Sequence, residues 1–371
     1  MIPRRTALLT TLCVVSAAAV APGALDPSAP ASTASAATAP ERPLRFGVYP
    51  WGNVGATDPV YGATPESPQL SLDAVRELRG NKSFVVHLYG AYTGTDEAAA
   101  SRLLRDARWW SDHGIQVEMV LRYRPARRAL APGYSSWVRW TAKRLARIRR
   151  VVAIQVGNEA NSRDAAAAAD GAYPGAVTRI ARAVPVARRA VVGAGRRDIG
   201  IGVNWAAGRR PCSSGSFWRG LRKAGGRSFS RSVGWVGVDV YPGTWTGPSR
   251  SATPTPAQVD RVITSTLRCA RKRHLPAAGL GRRVSLTVAE TGYPTDPSRS
   301  EELQQTVLVS TVGAVLRVAG RYGVTDLRWF PLRDANTGSG QLENGYGLVR
   351  DDATRKAAFW TYRDLVAGSG R

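Results

Sequence analysis

The feature that most constrains this chain is the strict alternation of two hydrophobic patterns along most of its length. Eight short apolar runs read as strands: Leu44–Tyr49, Ser83–Leu88, Ile115–Leu121, Val151–Val156, Ile199–Asn204, Val233–Tyr241, Val284–Glu290 and Asp326–Leu332. Between and after them lie helical stretches near Leu72–Leu78, Glu97–Asp112, Trp137–Ile148, Ala176–Val192, Phe217–Lys223, Pro256–Arg273, Glu301–Ala319 and Asp352–Leu365. In the sixth, Val259, Ile263 and Leu267 recur four apart while Arg261, Arg268 and Arg271 point elsewhere, as in a helix with one buried face. In the seventh, Leu303, Val307, Ala314 and Val318 share a face. A helix after each strand returns the chain to the same end, so the strands run parallel. Eight such units closing on themselves make a single-domain (β/α)8 TIM barrel. The rival, an open doubly wound sheet, would carry a glycine-rich phosphate loop after its first strand. Here that strand runs into Tyr49-Pro-Trp-Gly52, and Gly193-Ala-Gly195 follows a helix.

The barrel is expected over residues 44–371. Ahead of it, Met1-Ile-Pro-Arg-Arg5 and the apolar run Thr6 to Ala21 have the form of a secretory signal. The run is shorter than the ~20 apolar residues of a membrane span. Ala34-Ser-Ala36 and Ala19-Val-Ala21 are alternative cleavage sites, with Pro22 disfavouring the second, and the route is open between a general and a twin-arginine signal. Residues 1–36 are therefore assigned to signal and cleavage region and 37–43 to a disordered spacer, which predicts a secreted or cell-wall-associated protein.

Signal removal takes Cys13 away and leaves Cys212 and Cys269, either a disulfide or two thiols in an oxidising compartment. His87, His113 and His274 stand in no metal-ligand spacing, so neither metal nor other cofactor is expected. Formal net charge is +25, and only five of the 52 basic residues are lysines. Such a surface adheres to polyanions, which makes acidic cell-wall polymers expected partners. The arginines are spread along the chain and no nucleic-acid-binding pattern accompanies them, so specific nucleic-acid recognition is not expected.

Catalytic groups of such barrels sit at the C-terminal ends of the strands. Strand four ends Ile154-Gln-Val-Gly-Asn158-Glu159, strand six ends Val238-Asp-Val-Tyr241-Pro242, strand seven ends Leu286-Thr-Val-Ala-Glu290, and strand eight contains Trp329. A glutamate closing an apolar strand must be paired or functional, because a lone buried carboxylate is costly. Two such glutamates on one rim suit glycoside hydrolysis. One, protonated, gives its proton to the leaving oxygen; the other, ionised, attacks the anomeric carbon or activates water.

Asn158-Glu159 and Glu290 at these strand ends resemble the clan of (β/α)8 retaining glycoside hydrolases that holds families 5, 39 and 17. The resemblance implies Glu159 as acid/base, Glu290 as nucleophile, Asn158 on the sugar 2-hydroxyl, Tyr241 as a hydrogen-bond donor to the nucleophile, and Trp329 as the floor of the reacting subsite. Val-Gly-Asn-Glu and Glu-Thr-Gly-Tyr-Pro are also similar to the 1,3-β-glucanases of that clan, which implies a β-glucan substrate. The sequence departs from the pattern at Ala160, where many members have proline, and in lacking the usual arginine early in the barrel. Arg122, ending strand three, is the expected substitute. Trp51 and Trp245, in Gly/Pro-rich loops after strands one and six, are expected to bind sugar through their ring faces. The expectation is a cofactor-free glycosidase on a polysaccharide or oligosaccharide. The alternative is a non-catalytic carbohydrate or cell-wall binding protein on a degenerate barrel.

Overall fold

In the computed structural model eight strands close into one barrel: β1 (Arg45–Val48), β2 (Phe84–Tyr92), β3 (Gln116–Tyr123), β4 (Val151–Val156), β5 (Gly200–Ala206), β6 (Trp235–Asp239), β7 (Ser285–Thr291) and β8 (Val324–Trp329). They bond in chain order, every pair parallel, with β8 returning beside β1. The structure describes residues 43–52, 63–94, 97–163, 168–247 and 253–369. The signal, both cleavage sites, Cys13 and all of the spacer but Pro43 lie outside the described residues. No described helix is long and apolar enough to cross a membrane.

The surrounding helices are α1 (Pro68–Arg79), α2 (Glu97–Asp112), α3 (Tyr134–Leu145), α4 (Ala176–Gly193), α5 (Gly215–Ser232), α6 (Pro256–Cys269), α7 (Glu301–Tyr322) and α8 (Ala357–Gly368). Their starts follow local chemistry. Thr255 and Gln258 form a reciprocal capping box before α6, and Pro256 occupies the first turn, where no N–H is required. Ser300 caps α7, which ends on Gly323 in the left-handed region. Val259, Ile263 and Leu267 all bury against the barrel, as their spacing predicts.

Boundaries moved where tertiary pairing overrode the pattern. β2 runs past Leu88 to Tyr92 because β3 pairs with it as far as Tyr123. β6 stops at Asp239 rather than Tyr241, where a register shift opens the ladder. β8 stops at Trp329, before Pro331, which has no N–H to donate. The last helix starts at Ala357 rather than Asp352, since Asp352 accepts from the Thr354 N–H and hydroxyl in a turn.

The lower barrel interior is ionic. Arg328 of β8 reaches Asp326 (2.7 Å) and Glu118 of β3 (3.2 Å), while Arg45 of β1 reaches Asp326 (2.6 Å). Gly47 makes room for this crossing: a Cβ there would stand 2.7 Å from the Arg328 side chain and 2.1 Å from the Val85 carbonyl. Burial pushes the Asp326 carboxyl up, but Arg328 and Arg45 outweigh it and hold it at about 2.

Candidate active site

Glu290, from the end of β7, is 6% exposed, and two phenols hold its carboxyl. Tyr241, just beyond β6, donates to Oε2 at 2.8 Å, and Tyr89 of β2 donates to Oε1. Burial first, then the neighbouring Glu290 charge, raises both tyrosines well above the usual phenol range, so both stay protonated donors. Behind Tyr89, His87 Nε2 lies 2.8 Å from the phenol oxygen and Nδ1 lies 2.7 Å from Glu118. A chain of polar contacts therefore runs from Glu290 through Tyr89, His87, Glu118 and Arg328 to Asp326 and Arg45, at the opposite end of the barrel.

Glu159 is delivered by a kink after β4. Gly157 adopts φ +79°, and a Cβ there would stand 2.3 Å from Ile180 Cδ1, so both conformation and space require glycine. Glu159 itself sits at φ +45°, a left-handed conformation that is rare for a residue with a side chain. Such strain persists only where neighbours over-determine it. Here they do: the Glu159 N–H donates to Asn204 Oδ1 (2.8 Å), and the Asn158 N–H donates to buried Asp170 (2.7 Å). Asp170 also accepts from the Tyr123 N–H (2.7 Å) and Arg122 Nε (3.1 Å), tying the kink to β3.

One carboxyl oxygen each of Glu159, Asp239 and Glu290 lie within 4.8 Å of one another. Asp239, the last residue of β6, is directly opposite Glu290 in the strand register. Burial and the Glu290 charge push the Glu159 carboxyl up to about 8, with Arg122 opposing. The same two causes, joined by Glu159, raise Asp239 well above the carboxylate range. Among the described residues this trio is the one cluster of three metal-type ligands. Such a group can supply a proton donor and a nucleophile on one rim.

The expected residues divide. Glu159, Glu290 and Tyr241 converge. Asn158 is adjacent, but its Oδ1 accepts from Asn204 (2.8 Å) and Gln155 (3.2 Å), and its Nδ2 donates to the Ala168 carbonyl (2.9 Å). Arg122 does not bond Glu290: it pairs with Asp170, and Tyr89 occupies the position against the nucleophile candidate. Trp329 is a correction. Its fully buried ring lies 6.5 Å from Tyr362 of α8, in the layer between barrel and helices. Side chains alternate along a strand, and Asp326 and Arg328 already point inward, so Trp329 points out. Phe330 takes the inner position, stacked on Tyr49 at 4.6 Å with its edge toward Tyr89.

Trp51 is half-buried, its ring 5.9 Å from that of Trp110 of α2 and packed against the core. Trp245 is 43% exposed beyond β6. Cys212, in the turn after β5, is disulfide-bonded to Cys269 at the end of α6, with Cα atoms 5.3 Å apart. Sequence reasoning missed Asp239, Asn204, Asp170 and Phe330 as parts of this site. For Asp239 the signal was its place two residues before Tyr241; for Phe330 it was strand parity.

The closed parallel (β/α)8 barrel is a fold that this chain shares with solved glycoside hydrolases. Solved structures of similar fold belong to families 39, 1 and 5 of that clan. A family 39 glycoside hydrolase from the gut symbiont Bacteroides cellulosilyticus WH2 is 16% identical over 88% of this chain and 64% of its own, with a TM-score of 0.57. The chain thus spans less than two-thirds of that enzyme's length. A family 1 β-glucosidase from Thermotoga maritima is 13% identical, covering 88% of this chain and 98% of its own, with a TM-score of 0.59. A family 5 enzyme from Bifidobacterium longum, solved with Manβ1-4GlcNAc, is 12% identical, covering 87% and 78%, with a TM-score of 0.57. No family model and no curated protein matches the sequence.

Proposed function

We propose that the protein is a secreted retaining glycoside hydrolase that cleaves a polysaccharide or oligosaccharide by double displacement. One observation carries the reading: Glu159 and Glu290 bring carboxyl oxygens within 4.8 Å of each other on one rim. Retaining enzymes hold the two groups about 5–5.5 Å apart, whereas inverting enzymes leave about 6.5–9.5 Å for a water. Glu159, held protonated to about pH 8, gives its proton to the glycosidic oxygen as that bond breaks. Glu290 attacks the anomeric carbon and forms the glycosyl-enzyme. Glu159, now a base, then takes a proton from the water that displaces Glu290. Tyr89 and Tyr241 fix the attacking oxygens, and Phe330 stands as an apolar wall beside Tyr89.

The similarity of two short motifs to 1,3-β-glucanases supports a β-glucan as substrate, and the +25 charge supports retention on acidic wall polymers. The test is a panel of activated aryl glycosides and polysaccharides. Glu290→Ala should lose about 10⁴-fold or more in kcat, and azide should restore turnover as a glycosyl azide of inverted anomeric configuration. Undiminished activity in that variant would remove the assignment. The second reading, a non-catalytic wall-binding protein, draws on the same charge; it would show as glycan binding by the wild type with no hydrolysis of any ligand.

A further inference from the structure

Asp239 is a third carboxyl in the space occupied by the two catalytic candidates, and double displacement assigns it no step. It is 1% exposed, and no cation is bonded to it among the described residues. Its Oδ2 accepts from Asn204 Nδ2 at 2.5 Å, while Oδ1 is buried without a hydrogen-bond partner. The groups that face it are Glu290 from β7, Glu159 after β4, Glu118 from β3 and Asn204 from β5, with the Tyr89 and Tyr241 phenols nearby. None of these is a positive charge that would stabilise an anion.

We propose that Asp239 is a positioning residue that works as a neutral carboxylic acid, fixing Asn204 and, through it, the strained peptide of Glu159. The inference rests on the glycosidase reading for its catalytic consequence. Its geometry is independent of that reading. Asn204 has two tasks: its amide nitrogen bonds Asp239 and Asn158, and its carbonyl accepts the Glu159 N–H. Without the Asp239 oxygen the Asn204 amide would keep only Asn158 of the two acceptors that fix which way it faces, and the Glu159 N–H would lose a firmly held acceptor. A charged Asp239 would put a second anion within 4.8 Å of Glu290. Like charges at such range do not both ionise readily. As a neutral acid Asp239 retains its acceptor for Asn204. The direction of its titration shift, upward through burial and the two glutamates, agrees.

The test compares Asp239→Asn, uncharged at every pH and still able to accept from Asn204, with Asp239→Ala. The asparagine variant should stay within about tenfold of wild-type kcat. The alanine variant should lose about 10²-fold in kcat with KM little changed, as expected for a misplaced acid. Amide hydrogen exchange at Glu159 should accelerate in Asp239→Ala and remain slow in Asp239→Asn. Isotope-edited infrared spectra at pH 7 should show a protonated-carboxyl band that Asp239→Asn removes, distinct from the one removed by Glu159→Gln. An asparagine variant as impaired as alanine, or an ionised Asp239 at pH 7, overturns the proposal. A wild type that cleaves no glycoside would instead sink the functional reading, while exchange and infrared data would still decide the role of Asp239.

Discussion

Asn204 accepts the backbone N–H of Glu159 at 2.8 Å, so a side chain of β5 pins the peptide carrying a carboxyl from the end of β4. The bond explains how a glutamate is held at φ +45° just beyond the end of β4. It also makes the site a product of strand neighbourhood, since β4 and β5 are adjacent.

Glu290 draws its orientation from two phenols, one on each carboxyl oxygen. Tyr241→Phe and Tyr89→Phe should each lower kcat by about tenfold to a hundredfold, with small effects on stability. A double-mutant cycle on kcat/KM should show coupling, because both hydroxyls bond one carboxylate. Additive effects would mean that they act on different groups.

Raised carboxyls give a pH signature of defined sign. Activity should fall as pH rises through about 8, where Glu159 loses its proton. Stability should follow a related course: between the ordinary glutamate value and about 8 the folded state binds more protons at Glu159 than the unfolded chain, so stability declines as pH rises. Glu159→Gln removes that cost. Its melting temperature should exceed that of wild type at pH 8, and the difference should shrink toward pH 4. Thermal denaturation at several pH values reads this directly.

Strand parity separates Trp329 from Phe330. Trp329→Ala should cost about 3–5 kcal/mol of stability by leaving a cavity against Tyr362, with activity per folded molecule largely kept. Phe330→Ala should instead reduce kcat/KM by removing the ring stacked on Tyr49 and edge-on to Tyr89. Chemical denaturation and kinetics on the two variants check the division.

The Cys212–Cys269 bond spans 57 residues, and the chain-entropy model gives a crosslink of that span roughly 4 kcal/mol. Cys269→Ala, or reduction of the wild type, should lower the denaturation midpoint accordingly. Coincident midpoints with and without reductant would show that the crosslink contributes nothing.

Much of this was written locally. Alternating strand and helix periods fix a parallel barrel because period is a property of neighbouring residues, and the caps at Thr255 and Ser300 act within four residues of themselves. Glu159, Glu290 and Tyr241 were legible for the same reason: each lies at or just beyond the end of a strand, and a parallel barrel puts all strand ends on one rim. What the chain order did not hold was the pairing across that rim. Asp239 faces Glu290, Asn204 grips Glu159, Asp170 claims Arg122, and Phe330 rather than Trp329 turns inward. Those relations depend on strand register, on the shifts beside Asp239 and Glu290, and on which alternate side chain meets the axis. All are set only when the barrel closes and distant strands compete for the same interior space.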